Sequence, residues 1–332
     1  MCSGMSRTFE LIAEGYKAVS SASYCPKKLT AIHTGIAAGV SFLVALLTYL
    51  LGTGIGDTGG LSGIGLRAAL ETAQSTLQIA ISVLSPFWSL GFVAAVLCMM
   101  HGQEMGPRTL LQGFRHFGVV LRMLLLQAVM YVAVIILFAQ LGSIIYTFTP
   151  FSQKLDVLVD EMVAVGATDT EAIMAYLTSV DPQIFMGVFW SLIPFMALPV
   201  LIAVVILSYR LRLAQFLVMD NPRMGAMLAT FGSMRLTKRN CLRLLKLDLR
   251  FWWFYALEVL VQVLCYGDVL LPLFGVELGM NVTLASFLFF ALALVCQVGL
   301  YVWKKPQIFA SYAAFYNDLL PKQEDFSEPE TV

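Results

Sequence analysis

Long apolar runs separated by short polar segments dominate the chain. Six stretches, 31–51, 77–100, 123–146, 184–207, 252–271 and 282–303, run for about twenty residues or more with few charges. A helix rising about 1.5 Å per residue needs roughly 20 residues to cross about 30 Å of hydrocarbon. Barrel strands would alternate apolar and polar positions over about 10 residues, and these runs do not alternate. In lipid every backbone N–H and C=O needs a partner within its own segment or a closed sheet. The pattern therefore predicts an all-α fold, a polytopic membrane helical bundle of about six transmembrane helices plus interfacial amphipathic helices.

Composition narrows the class further. The 332 residues are 59% hydrophobic and 13% charged, against roughly 45–50% and about 25% for an average soluble domain. That is too few charges to cover a soluble surface, and too apolar for disorder. Lys+Arg and Asp+Glu are both 21, so net charge points to no nucleic-acid partner. The distribution of the cations is informative instead. With the N-terminus inside, 19 of the 21 Lys and Arg residues fall on the cytoplasmic side, leaving only Arg67 and Lys154 outside. This asymmetry predicts cytoplasmic N- and C-termini. The expected layout is a cytoplasmic segment at 1–30, a membrane domain at 31–303 and a cytoplasmic tail at 304–332, in the plasma membrane. The first run is longer than the apolar core of a signal peptide and reads as a retained span. The six cysteines are scattered, none in an outside loop, which speaks against a disulfide framework.

The connecting segments carry the weaker signals. Gly54-Ile-Gly56-Asp-Thr-Gly59 has the form G-x-G-x-x-G, but it follows a membrane span rather than a strand, so a flexible loop is expected in place of a dinucleotide site. The outside loop 147–183 holds six acidic residues against one Lys. Thr168 to Glu171 fits a capping box, and the loop reads as a helical hairpin with a solvated acidic face. On the cytoplasmic side, 209–250 opens a helix at Asp220-Asn221-Pro222, a capping residue followed by Pro at the first helical position. Met224, Met227, Leu228, Phe231 and Met234 follow at helical spacing. Arg235, Lys238, Arg239, Arg243, Lys246 and Arg250 come next, interleaved with leucines. Such a basic amphipathic segment beside a span should lie in the inner interface. These six side chains are the candidate contacts to anionic lipids on the cytoplasmic face, each adding roughly 1 kcal/mol near an anionic leaflet. The order span, Pro-Arg turn, basic stretch, span occurs twice, around Pro107-Arg108 and Pro222-Arg223, as an internal duplication would produce.

The C-terminal part, 209–320, resembles the bacterial integral membrane family catalogued as domain of unknown function 975. The likeness rests on Gln215 to Pro222, an aromatic-apolar run ending in Asp-x-Pro. It rests also on Ser233 to Arg239, on Leu245 to Phe251 with Trp253, and on Lys305-Pro306 and Phe315-Tyr316-Asn317-Asp318-Leu319. Asp248 stands where the family has Ser. The resemblance implies a plasma-membrane protein of several helices and carries over no catalytic residue.

Within the spans, Glu258 is the leading candidate site. A carboxylate about seven residues into a span costs about 2.5–3.5 kcal/mol on insertion scales and faces the bundle interior. Gln262 lies one turn on, and Arg122 at the inner end of the third span is placed to share its depth. The set reads as an interhelical polar clamp, with a proton or cation site as the functional rival. Pro86, Pro194 and Pro199 predict kinks. Gly35 and Gly39 form G-x-x-x-G, a pattern of close helix packing. Cys98 and His101 are one turn apart, too few ligands for a metal. No H-E-x-x-H, Walker A or G-x-S-x-G sequence occurs, and Asn281-Val-Thr283 is a glycosylation sequon by pattern only. The sequence thus predicts no enzyme, no cofactor and no metal. It predicts a membrane-organising or accessory protein contacting lipids or partners, with a small-solute or ion transporter using Glu258 and the Pro-kinked fourth span as the alternative.

Overall fold

A computed structural model describes residues 3–22, 24–52, 61–149, 193–273 and 282–320, with isolated residues between 156 and 190. Helices α1 (Ser3–Ser21), α2 (Pro26–Gly52), α3 (Leu61–Met100), α4 (Gln112–Arg115) and α5 (Phe117–Thr147) come first. They are followed by α6 (Leu198–Leu211), α7 (Ala214–Asp220), α8 (Ala226–Thr237), α9 (Cys241–Arg250), α10 (Trp252–Leu264), α11 (Gly267–Leu273) and α12 (Val282–Leu319). Among the described residues there is no strand. Five helical stretches are long and apolar enough to cross a membrane: Pro26–Leu50, Glu71–Met100, Phe117–Thr147, Ile193–Asp220 and Leu284–Leu319.

The contacts divide the chain into two compact units, Met1–Leu121 with Leu213–Val332, and Arg122–Arg212. The first is organised around α12. At 38 residues this helix is about 57 Å long, nearly twice the hydrocarbon thickness, and its two halves have different surroundings. Towards its start Leu288, Leu292 and Val295 are exposed, as lipid-facing side chains are. Beyond Lys304-Lys305-Pro306 the helix is buried all round, from Ala310 to Tyr316 without a break. A helix buried on every face is a core helix, and α1, α2, α3 and α10 all pack on α12.

Helix α3 is the second core element, with Gly91 to Leu97 all buried. Its fit depends on two glycines. A Cβ on Gly91 would lie 1.8 Å from the carbonyl oxygen of Leu110, and one on Gly113 would lie 2.0 Å from that of Phe87. The backbone of 107–115 therefore rests directly on α3, and Phe87 stacks on Phe117 at 4.5 Å. The close packing expected of Gly35 and Gly39 is made here instead: a Cβ on either of those residues meets nothing within 4 Å.

The fifth apolar run is not one helix. Around Cys265 and Tyr266 the bonding tightens to three-residue turns, Cys265 to the Gln262 carbonyl and Tyr266 to that of Val263. Helix α10 ends there after 13 residues, about 20 Å, and α11 begins at Gly267. At Asp220-Asn221-Pro222 the expected cap is present, the Asn221 side chain accepting from the Arg223 N–H at 3.2 Å. It opens a three-residue 3₁₀ turn, Pro222–Met224, and the helix proper starts after Gly225.

In the second unit α5 exposes apolar side chains around much of its circumference, among them Val129, Val132, Ile135, Ile136 and Leu137. Pro194 lies in a π-helical turn, Ile193–Ala197, and Pro199 falls in the first turn of α6, where a missing N–H costs nothing. Tyr146 meets the edge of Phe195 at 5.9 Å between centroids. The Gly54 to Gly59 loop, most of the acidic loop with its capping box, and Asn281 lie outside the described residues.

Candidate functional site

Glu258 sits on α10, half-buried, facing α12. Its carboxylate accepts the hydroxyl proton of Tyr301. The Tyr301 oxygen in turn accepts from the Gln297 side-chain amide at 3.2 Å, one turn earlier on the same helix. One turn later stands Lys305, whose ammonium lies 4.6 Å from the centre of the Tyr301 ring and close enough to Glu258 for the two charges to act on each other. The ammonium also lies over Phe92, 5.4 Å from the ring centre. Carboxylate, phenol, amide and ammonium are thus gathered by α10 and by residues i, i+4 and i+8 of α12, which share one helix face.

Phe92 links this group to a second one. Its ring is 5.0 Å from that of His33 on α2, and His33 is stacked on Trp88 at 5.3 Å. The Trp88 indole N–H donates to the His33 carbonyl at 2.9 Å, and the His33 Nε2 lies 3.2 Å from the Trp88 carbonyl. His33 is buried, and its Nδ1 has no hydrogen-bond partner among the described residues.

The residues expected around Glu258 are distributed differently. Gln262 is on α10 but exposed. Arg122 belongs to the other compact unit; within the first unit Lys305 is a cation that acts on Glu258. The signal for Lys305 and Tyr301 was their spacing with Gln297 along one face of α12. It was masked by the placing of Lys305 in a cytoplasmic tail.

A second polar ladder climbs the buried half of α12. Tyr312 donates to Asp248 of α9 and so accepts from Tyr255, 2.6 Å away. Tyr316 donates to Asp220 at 2.9 Å. Asp318 accepts from Arg7 of α1 at 2.6 Å and from Arg243 of α9 at 2.8 Å. The hydrogen bonds to Asp318 raise the Arg7 guanidinium above its ordinary pKa, with a smaller push from Glu10. Helices α1, α7 and α9 are therefore each tied to this half of α12 by at least one charge-assisted bond, the strong kind.

Of the six basic candidates, two have intramolecular roles. Arg243 binds Asp318 and lies over the Phe315 ring, and Arg250 lies over Phe9 of α1 at 4.7 Å. Arg235, Lys238, Arg239 and Lys246 are exposed. So are Leu242, Leu245 and Leu249, on the face of α9 opposite the buried Leu244 and Leu247. Among the described residues no three His, Cys, Asp or Glu side chains are grouped to hold a metal.

These features define the class: a helical membrane protein. Comparison of the chain with family models, curated proteins and solved structures gives no match in any of the three.

Proposed function

We propose that the protein is a six-span plasma-membrane protein, termini inside, with a non-enzymatic membrane-organising or accessory role. Its basic layer, α8 and α9, rests on anionic headgroups of the inner leaflet. This extends the resemblance to the bacterial domain of unknown function 975 family. The observation that carries the reading is the exposed surface of these two helices. Met227, Leu228 and Phe231 of α8 and Leu242, Leu245 and Leu249 of α9 are exposed apolar side chains, interspersed with Arg235, Lys238, Arg239 and Lys246. In water this surface would be costly, since each buried CH₂ is worth about 0.8 kcal/mol. At a headgroup boundary the leucines enter the acyl region while the cations meet phosphates.

The test is the lipid that copurifies with the full chain. Replacing Arg235, Lys238, Arg239 and Lys246 together by Ala should lower the ratio of anionic to zwitterionic lipid without lowering thermal stability, because all four are exposed. An unchanged ratio would sink the proposal.

Glu258, Tyr301 and Lys305 support a second reading, proton- or cation-coupled transport. A carboxylate in a span, hydrogen-bonded to a phenol whose ring carries an ammonium on its face, is the kind of intramembrane ionisable group that marks proton or ion pathways.

A further inference from the structure

At the far end of α12 from the buried ladder, α2, α3, α11 and the first turns of α12 line an open-sided cavity of about 760 Å³. That lies inside the 300–1,000 Å³ range of small-molecule sites. The lining includes one carboxylate, Asp268, and no Lys or Arg. Asp268 accepts a hydrogen bond from Ser286, and among the described residues no cation forms an ion pair with it. Two of the other hydroxyls have placed their protons on helix carbonyls. Thr48 donates to the Val44 carbonyl at 2.9 Å and Ser82 to the Gln78 carbonyl at 2.9 Å. What Ser82, Ser286 and Asp268 present to the cavity is therefore lone pairs and negative charge, while the Thr48 oxygen already accepts from the Gln74 side-chain amide at 2.8 Å. Beside them stand aromatic rings, Tyr49 and Phe287 packed at 5.1 Å.

A cavity lined by acceptors and rings, with one carboxylate that no cation among the described residues pairs with, has the chemistry that receives an organic ammonium. The carboxylate and hydroxyl oxygens take N–H donors, and the ring faces attract the cation. A lipid tail would leave the carboxylate dry and unpaired, and an anion would be repelled. We propose that this cavity binds a protonated primary amine carrying a small apolar body.

The proposal is tested on the full chain in nanodiscs with phenethylamine as probe and 2-phenylethanol as its neutral counterpart. Calorimetry should show saturable binding of the amine and at least ten-fold weaker binding of the alcohol. Asp268→Asn should lower amine affinity at least ten-fold, and Ser82→Ala, on a different helix, about three-fold. Cys265 lines the same cavity, so the amine, and not the alcohol, should slow alkylation of Cys265 in the unaltered protein, followed by mass spectrometry. Equal affinity for amine and alcohol, or an unchanged alkylation rate, would overturn the site. Should Asp268→Asn fail to fold, the Cys265 protection and Ser82→Ala still decide: wild-type affinity in Ser82→Ala together with no protection refutes it.

Discussion

The hydroxyl of Tyr301 on α12 donates to the carboxylate of Glu258 on α10, two residues 43 positions apart in the chain. That bond makes the carboxylate part of a structure rather than an isolated charge, and Lys305 supplies the opposite charge one turn away.

Thermal unfolding in detergent should rank three substitutions at this pair. Glu258→Gln keeps an acceptor for Tyr301 and should cost under about 1 kcal/mol. Tyr301→Phe leaves the carboxylate without its donor, a loss of about 1–2 kcal/mol. Glu258→Leu strands the phenol and the Lys305 ammonium together and should cost most, about 2–3 kcal/mol. If Glu258→Gln instead folds normally but abolishes a proton flux seen in wild-type vesicles, transport replaces the accessory reading.

The bridge at Asp318 predicts a local effect. Asp318→Asn removes the shared acceptor of Arg7 and Arg243, whose side chains remain 42% and 35% exposed. Solvent screening limits the global cost to about 1 kcal/mol, but α1 loses a tether to α12. Limited proteolysis should cut within Ser3–Ser21 faster in the variant. The raised pKa of Arg7 means that this contact is fully formed below the ordinary arginine range and lost only above it. Alkaline pH up to about 10 should leave the cutting rate unchanged, whereas added salt should increase it. A rate in the variant equal to wild type would remove the bridge as a tether.

The glycine contacts separate two helix faces. Gly91→Ala forces its Cβ against the Leu110 carbonyl and should destabilise by about 1–3 kcal/mol, through a shift of the backbone at 107–111. Gly35→Ala places its Cβ in open space and should be neutral, or gain up to about 1 kcal/mol from helix propensity. Melting temperatures of the two variants moving together would contradict the packing of α3.

Orientation is open to labelling. A cysteine introduced at Asp169 should react with an impermeant maleimide added from outside, and one at Lys238 should not, in a background lacking the native cysteines. The reverse pattern would invert the proposed topology.

The sequence by itself determined the all-helical class, the membrane-crossing character of the long apolar runs and the amphipathic nature of 226–250. Each of these depends on local periodicity and on the cost of unpaired backbone in lipid, and both are readable along the chain. Glu258 was legible for the same reason, since a lone carboxylate in an apolar run stands out without any knowledge of its neighbours. Its partners were not. Tyr301 lies inside the predicted sixth run but meets Glu258 only through the packing of α10 on α12, and Lys305 joins it because α12 continues without a break through Lys304-Lys305-Pro306, a place where charge and proline suggest an end. The same continuation turned a supposed tail, 304–320, into the central core helix and brought Asp318 to Arg243. Pairing of this kind is set by which helices pack together, a long-range outcome that local pattern does not encode. The cavity at Asp268 belongs to the same category, because α2, α3 and the α11–α12 segment had to meet before this carboxylate and the Tyr49 and Phe287 rings could line one cavity.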